Sequence, residues 1–298
     1  LRNLLQFFKK MLKKLFQSVK FILSVYFIYF FIDFTIKNLS ELKIIFSGSI
    51  LSLFIIIFLK ISIILLNSII FRKILETLNI TINFSKANEL TILNYLGNLV
   101  GPLKLGAGMR IEYLRQNFNM SVKDFIIKNF SFTFYCQLIY ISIFIFALFL
   151  DKKLILSYTF SLILIFLTVL FLLNKKILFG KENLFTIKEF LNSFLINFSI
   201  LTLFLLGVWV VILEVGLVIG VSYQLLKGIY IFEGISLTNI ANLTPANLGI
   251  REFALLSIDS LHNLSLNNLI TIGILDRFCS LFSTFLMFLI QNIKKTQK

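Results

Sequence analysis

The chain has 298 residues, of which 58% are apolar and 36 are Phe, with a mean hydropathy of +0.93 and a formal net charge of +15. An ordinary soluble domain is about 45–50% apolar, so this composition excludes a water-soluble globular protein. It does not point to a nucleic-acid binder either, because the lysines stand at the edges of apolar runs, where they orient spans and meet anionic headgroups.

In chain order, Arg2, Lys9, Lys10, Lys13, Lys14 and Lys20 form a basic leader centred on residues 1–18, expected to be cytoplasmic. No small-residue cleavage site follows Phe31, so the first apolar run is expected to remain as an anchor. Crossing hydrocarbon takes roughly 20 helical residues. Runs of about that length are predicted over Val19–Ile36, Ile44–Phe71, Phe130–Leu150, Leu154–Leu173, Ile196–Ile219 and Ile270–Ile290. The runs are continuous, whereas barrel strands would alternate over short segments. The expected fold is therefore all-α: one integral membrane domain over residues 1–298, with about six to eight transmembrane helices.

Basic residues recur at Arg72 and Lys73, across Lys104 to Lys128, across Lys175 to Lys181, and at Lys294, Lys295 and Lys298. The positive-inside rule then puts both termini in the cytoplasm, with Lys152 and Lys153 a local exception beside Asp151. Cys136 and Cys279 fall inside apolar runs and read as packing residues. With His262 the only histidine, no metal site of the usual His and Cys type is expected.

Two less regular regions, about Ala87 to Leu114 and Leu225 to Leu261, hold the only two prolines. Pro102-Leu103-Lys104-Leu105-Gly106 matches Pro245-Ala246-Asn247-Leu248-Gly249, and Asn98-Leu99 and Asn242-Leu243 precede the two at nearly the same distance. An Arg and a Glu follow each, as Arg110 and Glu112 and as Arg251 and Glu252. The repeat-like motifs thus lie near 97–115 and 241–259, about half a chain apart, as duplication would place them. Proline lacks an amide hydrogen and clashes with the preceding turn, so a helix should stop at each motif and a new one begin just after. Free N–H groups at the new helix and a nearby Arg suit a phosphate or other anion. Paired Gly/Pro breaks in two halves point to broken or re-entrant helices in inverted repeats with a binding site between them. The plain alternative is a pair of helix ends at the membrane surface.

Asp276 and Arg277 interrupt an apolar segment and should face protein or water. Gly273, Arg277, Ser280 and Thr284 recur at helical spacing as a polar packing stripe, and Arg277 is expected to pair with Glu214, Glu233 or Glu252 rather than with Asp276. Lys60 is expected to snorkel. Gly97 and Gly101, like Gly216 and Gly220, have the spacing of a close helix contact. No glycine-elbow serine, paired His, aspartate-rich phosphate motif or Walker loop is present, so no catalytic residues and no cofactor are expected.

On Pro245-Ala246-Asn247-Leu248-Gly249-Ile250-Arg251-Glu252, and on Gly106 through Arg110, Glu112, Tyr113, Leu114 and Arg115, the chain resembles the lysylphosphatidylglycerol synthase transmembrane family, also called flippase-like. Arg277 falls where that family often has an arginine in its last helix. The chain departs at Asn247-Leu248, where a Gly pair is usual. The resemblance implies a bacterial or archaeal inner-membrane protein that binds an anionic or modified phospholipid or lipid-linked headgroup and helps it cross. It contains only the membrane domain, so no lysyltransferase activity is expected. The headgroup contacts fall to Pro102, Lys104, Gly106, Arg110, Glu112, Pro245, Gly249, Arg251, Glu252 and Arg277. The alternative is a non-transporting membrane subunit or scaffold for a lipid- or glycan-modifying enzyme; a lipid-linked-sugar enzyme ranks third. Expected partners are membrane lipids, with a second copy or a membrane enzyme as candidates, and no nucleic acid.

Overall fold

Apolar runs broken by capping residues become helices. In the computed structural model, which describes residues 36, 49–100, 105–150, 194–219, 225–241 and 266–296, the described residues contain seven helices and no strand. These are α1 (Ile50–Glu76), α2 (Phe84–Val100), α3 (Leu105–Phe118), α4 (Val122–Leu150), α5 (Phe194–Ile219), α6 (Leu225–Ala241) and α7 (Leu266–Thr296). Four of them, α1, α4, α5 and α7, are long and apolar enough to cross a membrane. Val19–Ile36, Ile36 apart, and Leu154–Leu173 lie outside the described residues, so the described residues hold four such helices where six to eight spans were expected.

Local chemistry sets the helix ends. The Ser49 side chain accepts from the Ser52 amide at the start of α1. At its end Asn79 takes a left-handed φ of 57° and the Ile80 amide donates back to the Leu75 carbonyl. Asn83 caps α2 by accepting from the Lys86 amide at 2.8 Å, and Ser121 caps α4 by accepting from the Asp124 amide at 3.4 Å. At 1.5 Å per residue, the 27-residue α1 is about 40 Å long, longer than a hydrocarbon core of about 30 Å. The 17-residue α2 and α6 reach only about 25 Å, and the 14-residue α3 only about 21 Å.

The first half of α1 (Leu53, Ile56) clusters with the last part of α5 (Val210, Leu217, Val218), while Ile70 and Ile74 share a cluster with Ile196 and Ile200. α1 and α5 therefore run antiparallel. α7 lies along α1, where Ser283 donates to the Ile57 carbonyl, and reaches α2, where Gln291 donates to the Ser85 carbonyl at 2.9 Å. α6 packs on α5 and on α4, where the Tyr230 hydroxyl donates to the Ala147 carbonyl at 3.2 Å and Gln137 bonds Ser236 at 3.0 Å.

This arrangement has an internal correspondence. Moved along the chain by the interval from Pro102 to Pro245, α1 falls on residues 193–219, the place of α5. Likewise α2 falls on 227–243, near α6, and α4 on 265–293, near α7. The packing corresponds too: each short helix lies on the long helix before it and on the last helix of the other half, α2 on α1 and α7, α6 on α5 and α4.

The outer face of α5 exposes Phe198, Leu201, Leu205 and Trp209, three or four residues apart, and α1 exposes Phe54 and Phe58. In water such stripes would drive association; in lipid they are matched by acyl chains. One end of the bundle carries a group of basic residues. Phe71, Leu75, Ile80, Leu114, Met120 and Phe125 form one cluster there, joining the α1–α2 and α3–α4 connections, which carry Arg72, Lys73, Lys86, Arg115 and Lys123.

Candidate functional site

The first proline motif sits at the tip of a helical hairpin. α2 ends at Val100 and α3 begins at Leu105, as a helix stop at Pro102 requires; Pro102 and Lys104 themselves lie outside the described residues. Below the tip the two backbones touch. A Cβ on Gly97 would lie 2.4 Å from Gly106 Cα, and one on Gly106 would lie 2.1 Å from the Asn94 carbonyl oxygen. Gly106, expected at a headgroup, is thus the residue that lets the hairpin close. Gly97 makes the close contact its spacing predicted, though its partner is Gly106 on the returning helix.

One helical turn after Gly106, Arg110 leaves the hairpin toward α1 and α4. Its guanidinium carbon stands 4.3 Å from the Phe71 ring centroid and 5.6 Å from that of Phe125, and the two rings meet edge to face at 6.3 Å. Arg110 is half-buried, its Nε is buried without a hydrogen-bond partner, and no carboxylate among the described residues pairs with it. Tyr95 on α2 lies within electrostatic range of both Arg110 and Lys60. Glu112 faces outward, accepting from Arg115 at 3.1 Å and Gln116 at 2.7 Å, and so does not pair with Arg110.

A second polar centre was not foreseen. Lys60 does not snorkel: it is 8% exposed, and its ammonium donates to Asp276 and, at 3.1 Å, to Ser280, with Glu214 Oε1 at 3.2 Å. It lies about ten residues into a helix of about 40 Å, too far from either end for its side chain to reach water, so burial against two carboxylates replaces snorkelling. The cluster joins α1 to α5 and α7. The sequence signal was Lys60 and Glu214, each alone in an apolar run, and Asp276, next to Arg277 in a third; what could not be read was that the three runs meet. Ser280 and Thr284 do form a packing stripe, with Ser280 on Lys60 and Thr284 bonded to the Ser280 carbonyl. Arg277 is buried beside this centre on α7, and Glu214, one of its expected partners, is the residue 3.2 Å from Lys60. Glu233, another, is buried with neither oxygen hydrogen-bonded. Pro245, Gly249, Arg251 and Glu252 lie outside the described residues, so the two motifs are not seen together.

Among the described residues, four apolar helices of spanning length, short helices packed between them and buried charge clusters within the spans are the marks of a helical integral membrane protein. Compared with protein-family profiles, curated proteins and solved structures, the chain matches none, so its class rests on the physical features above.

Proposed function

We propose that the chain is a flippase-like inner-membrane protein that binds the anionic headgroup of a phospholipid or lipid-linked molecule at Arg110 and helps it cross. The observation that carries this reading is Arg110 itself. It is a half-buried cation against the Phe71 and Phe125 rings, with no carboxylate paired to it among the described residues, on a hairpin too short to cross the bilayer. A guanidinium whose charge is met only by ring faces keeps donors for a phosphate, which it can meet through two parallel bonds. Arg110 lies eight residues before the end of α3, about 12 Å below the basic end of the bundle, the depth of a headgroup drawn into the membrane.

Two further features support it. The basic end is the cytoplasmic one by the positive-inside rule, so the α2–α3 hairpin enters from the cytoplasm as a re-entrant element. α6 runs the other way: Tyr230 near its start meets Ala147 near the end of α4, the end away from the basic residues. Together with antiparallel α1 and α5, this supports reading the halves as inverted repeats, in which Arg251 and Glu252 of the second would play the parts of Arg110 and Glu112 of the first. Lys104, Gly249, Pro245, Pro102 and Arg277 complete the proposed headgroup path.

The test is reconstitution of pure protein into phosphatidylcholine vesicles carrying fluorescent phosphatidylglycerol, with a membrane-impermeant reductant bleaching the outer leaflet. Bleaching beyond the outer-leaflet pool, slowed by Arg110→Ala, is expected. Bleaching that stops at that pool overturns transport and favours the scaffold reading.

A further inference from the structure

Glu233 sits on α6 at 2% exposure, and neither of its carboxylate oxygens has a hydrogen-bond partner. Its helix is the clamp between the two halves. The Phe232 ring presses on Gly207 of α5 so closely that a Cβ there would lie 2.1 Å away, and Gly228 fits against Ile212. On the other side Ser236, one turn from Glu233, bonds Gln137 of α4.

Among the described residues no ion pair is made to it. From α4, Tyr140 is within electrostatic range, with Cys136 one turn earlier. α5 carries Glu214 as its only ionisable side chain, and Glu214 faces Lys60. On α6, the Tyr230 hydroxyl is spent on the Ala147 carbonyl and Lys227 lies six residues before Glu233. α7, whose Ile272 packs with Ile231 and Ile235 of α6, carries the buried Asp276 and Arg277; Asp276 accepts from the Lys60 ammonium, which also meets Ser280 and Glu214. A buried carboxylate without partner or counter-charge takes a proton rather than remain ionised.

We infer that Glu233 is a proton-binding site that couples proton movement to the rearrangement of the two halves, so that the protein is driven by, or responds to, a proton gradient. In the closed packing seen here Glu233 carries the proton as a neutral acid. When α6 shifts against α4 and α5 and water reaches the carboxyl, the proton leaves to water and the carboxylate disfavours return to the closed packing until it is reprotonated. No bond but O–H forms or breaks, and no co-reactant beyond water is needed. The coupling to lipid movement rests on the function proposed above; the protonation does not.

Two measurements on the full chain separate them. Infrared difference spectra of purified protein across a pH titration are expected to show a protonated carboxyl band that is present at neutral pH, disappears at high pH and is absent in Glu233→Gln. In vesicles with fluorescent phosphatidylglycerol, an imposed pH gradient is expected to change the wild-type rate by up to about tenfold per unit, as loading of one proton requires. Glu233→Gln, a neutral isostere that mimics the protonated acid, should lose that response while keeping its melting temperature; Glu233→Asp should retain part of it. A carboxyl band unchanged in Glu233→Gln, or no such band in wild type, overturns the proton site. Labelled lipid that moves at the same rate with and without the gradient overturns the coupling while leaving the lipid reading intact. If no lipid moves in any sample, the lipid reading fails and the infrared titration alone decides the site.

Discussion

Replacing Lys60 by Met removes the ammonium that Asp276 and Glu214 share in a buried site. The Lys60 side chain is 10% exposed and those of Glu214 and Asp276 are 0% and 11% exposed, so solvent cannot relieve the loss. At 3.2 Å, with an effective dielectric of about 20, the Lys60–Glu214 attraction is about 5 kcal/mol before the desolvation it offsets. Removing one partner of a buried ion pair costs roughly 3–5 kcal/mol net. At about 2 °C per kcal/mol for a chain of this size, the melting temperature should fall by roughly 6–10 °C. The assay is a thiol-reactive fluorophore melt in detergent on a Cys136→Ser background, because Cys279 is fully buried beside the cluster and becomes reactive when α7 leaves α1. Adding Asp276→Asn and Glu214→Gln to Lys60→Met should restore part of the loss, since neutral groups replace two carboxylates that have lost their shared ammonium. If Lys60→Met melts with wild type, the cluster does not hold α1, α5 and α7 together and the reasoning about it is wrong.

Gly106→Val should lower stability by about 3 kcal/mol or more by forcing α3 off the Asn94 carbonyl, whereas Gly108→Ala, with nothing within 4 Å, should gain up to about 1 kcal/mol; paired melts check both. Glu112→Ala removes an exposed pair and should change stability by no more than about 0.5 kcal/mol, with lipid retention unchanged. Cysteines at Lys104 and Asn247 should label from opposite faces of sealed vesicles, and labelling of both from one face would exclude inverted repeats. Pure protein given lysyl-tRNA and phosphatidylglycerol should form no lysyl lipid, as chromatography of the products would show.

The spans were legible because a long apolar run has few other fates: Ile196–Ile219 and Phe194–Ile219 differ by two residues. That α2 and α3 are separate helices was legible because proline, at a position between them that lies outside the described residues, cannot continue a helix. Helix starts were less so; α4 begins at Val122, eight residues before the expected Phe130, because Ser121 and Asp124 make a cap that hydropathy does not register. Arg110 could be singled out from its motif, but its aromatic seat could not, since Phe71 and Phe125 are two of 36 phenylalanines and their meeting is a tertiary fact. Lys60 was misjudged for the same reason: a lone lysine in a run reads as snorkelling until the carboxylates of two distant helices are brought to it. Gly207 and Gly228 carry the close α5–α6 packing with no spacing signal between them, being on different helices.

The central claim is that Arg110 holds an anionic lipid, and its most direct test is headgroup-resolved mass spectrometry of lipids retained on purified wild type and Arg110→Met. Methionine keeps the apolar stem against Phe71 and Phe125 and removes only the charge and the donors. The account predicts an anionic phospholipid on wild type and a several-fold loss of it in Arg110→Met at closely similar melting temperature. Equal anionic lipid on both proteins would contradict it.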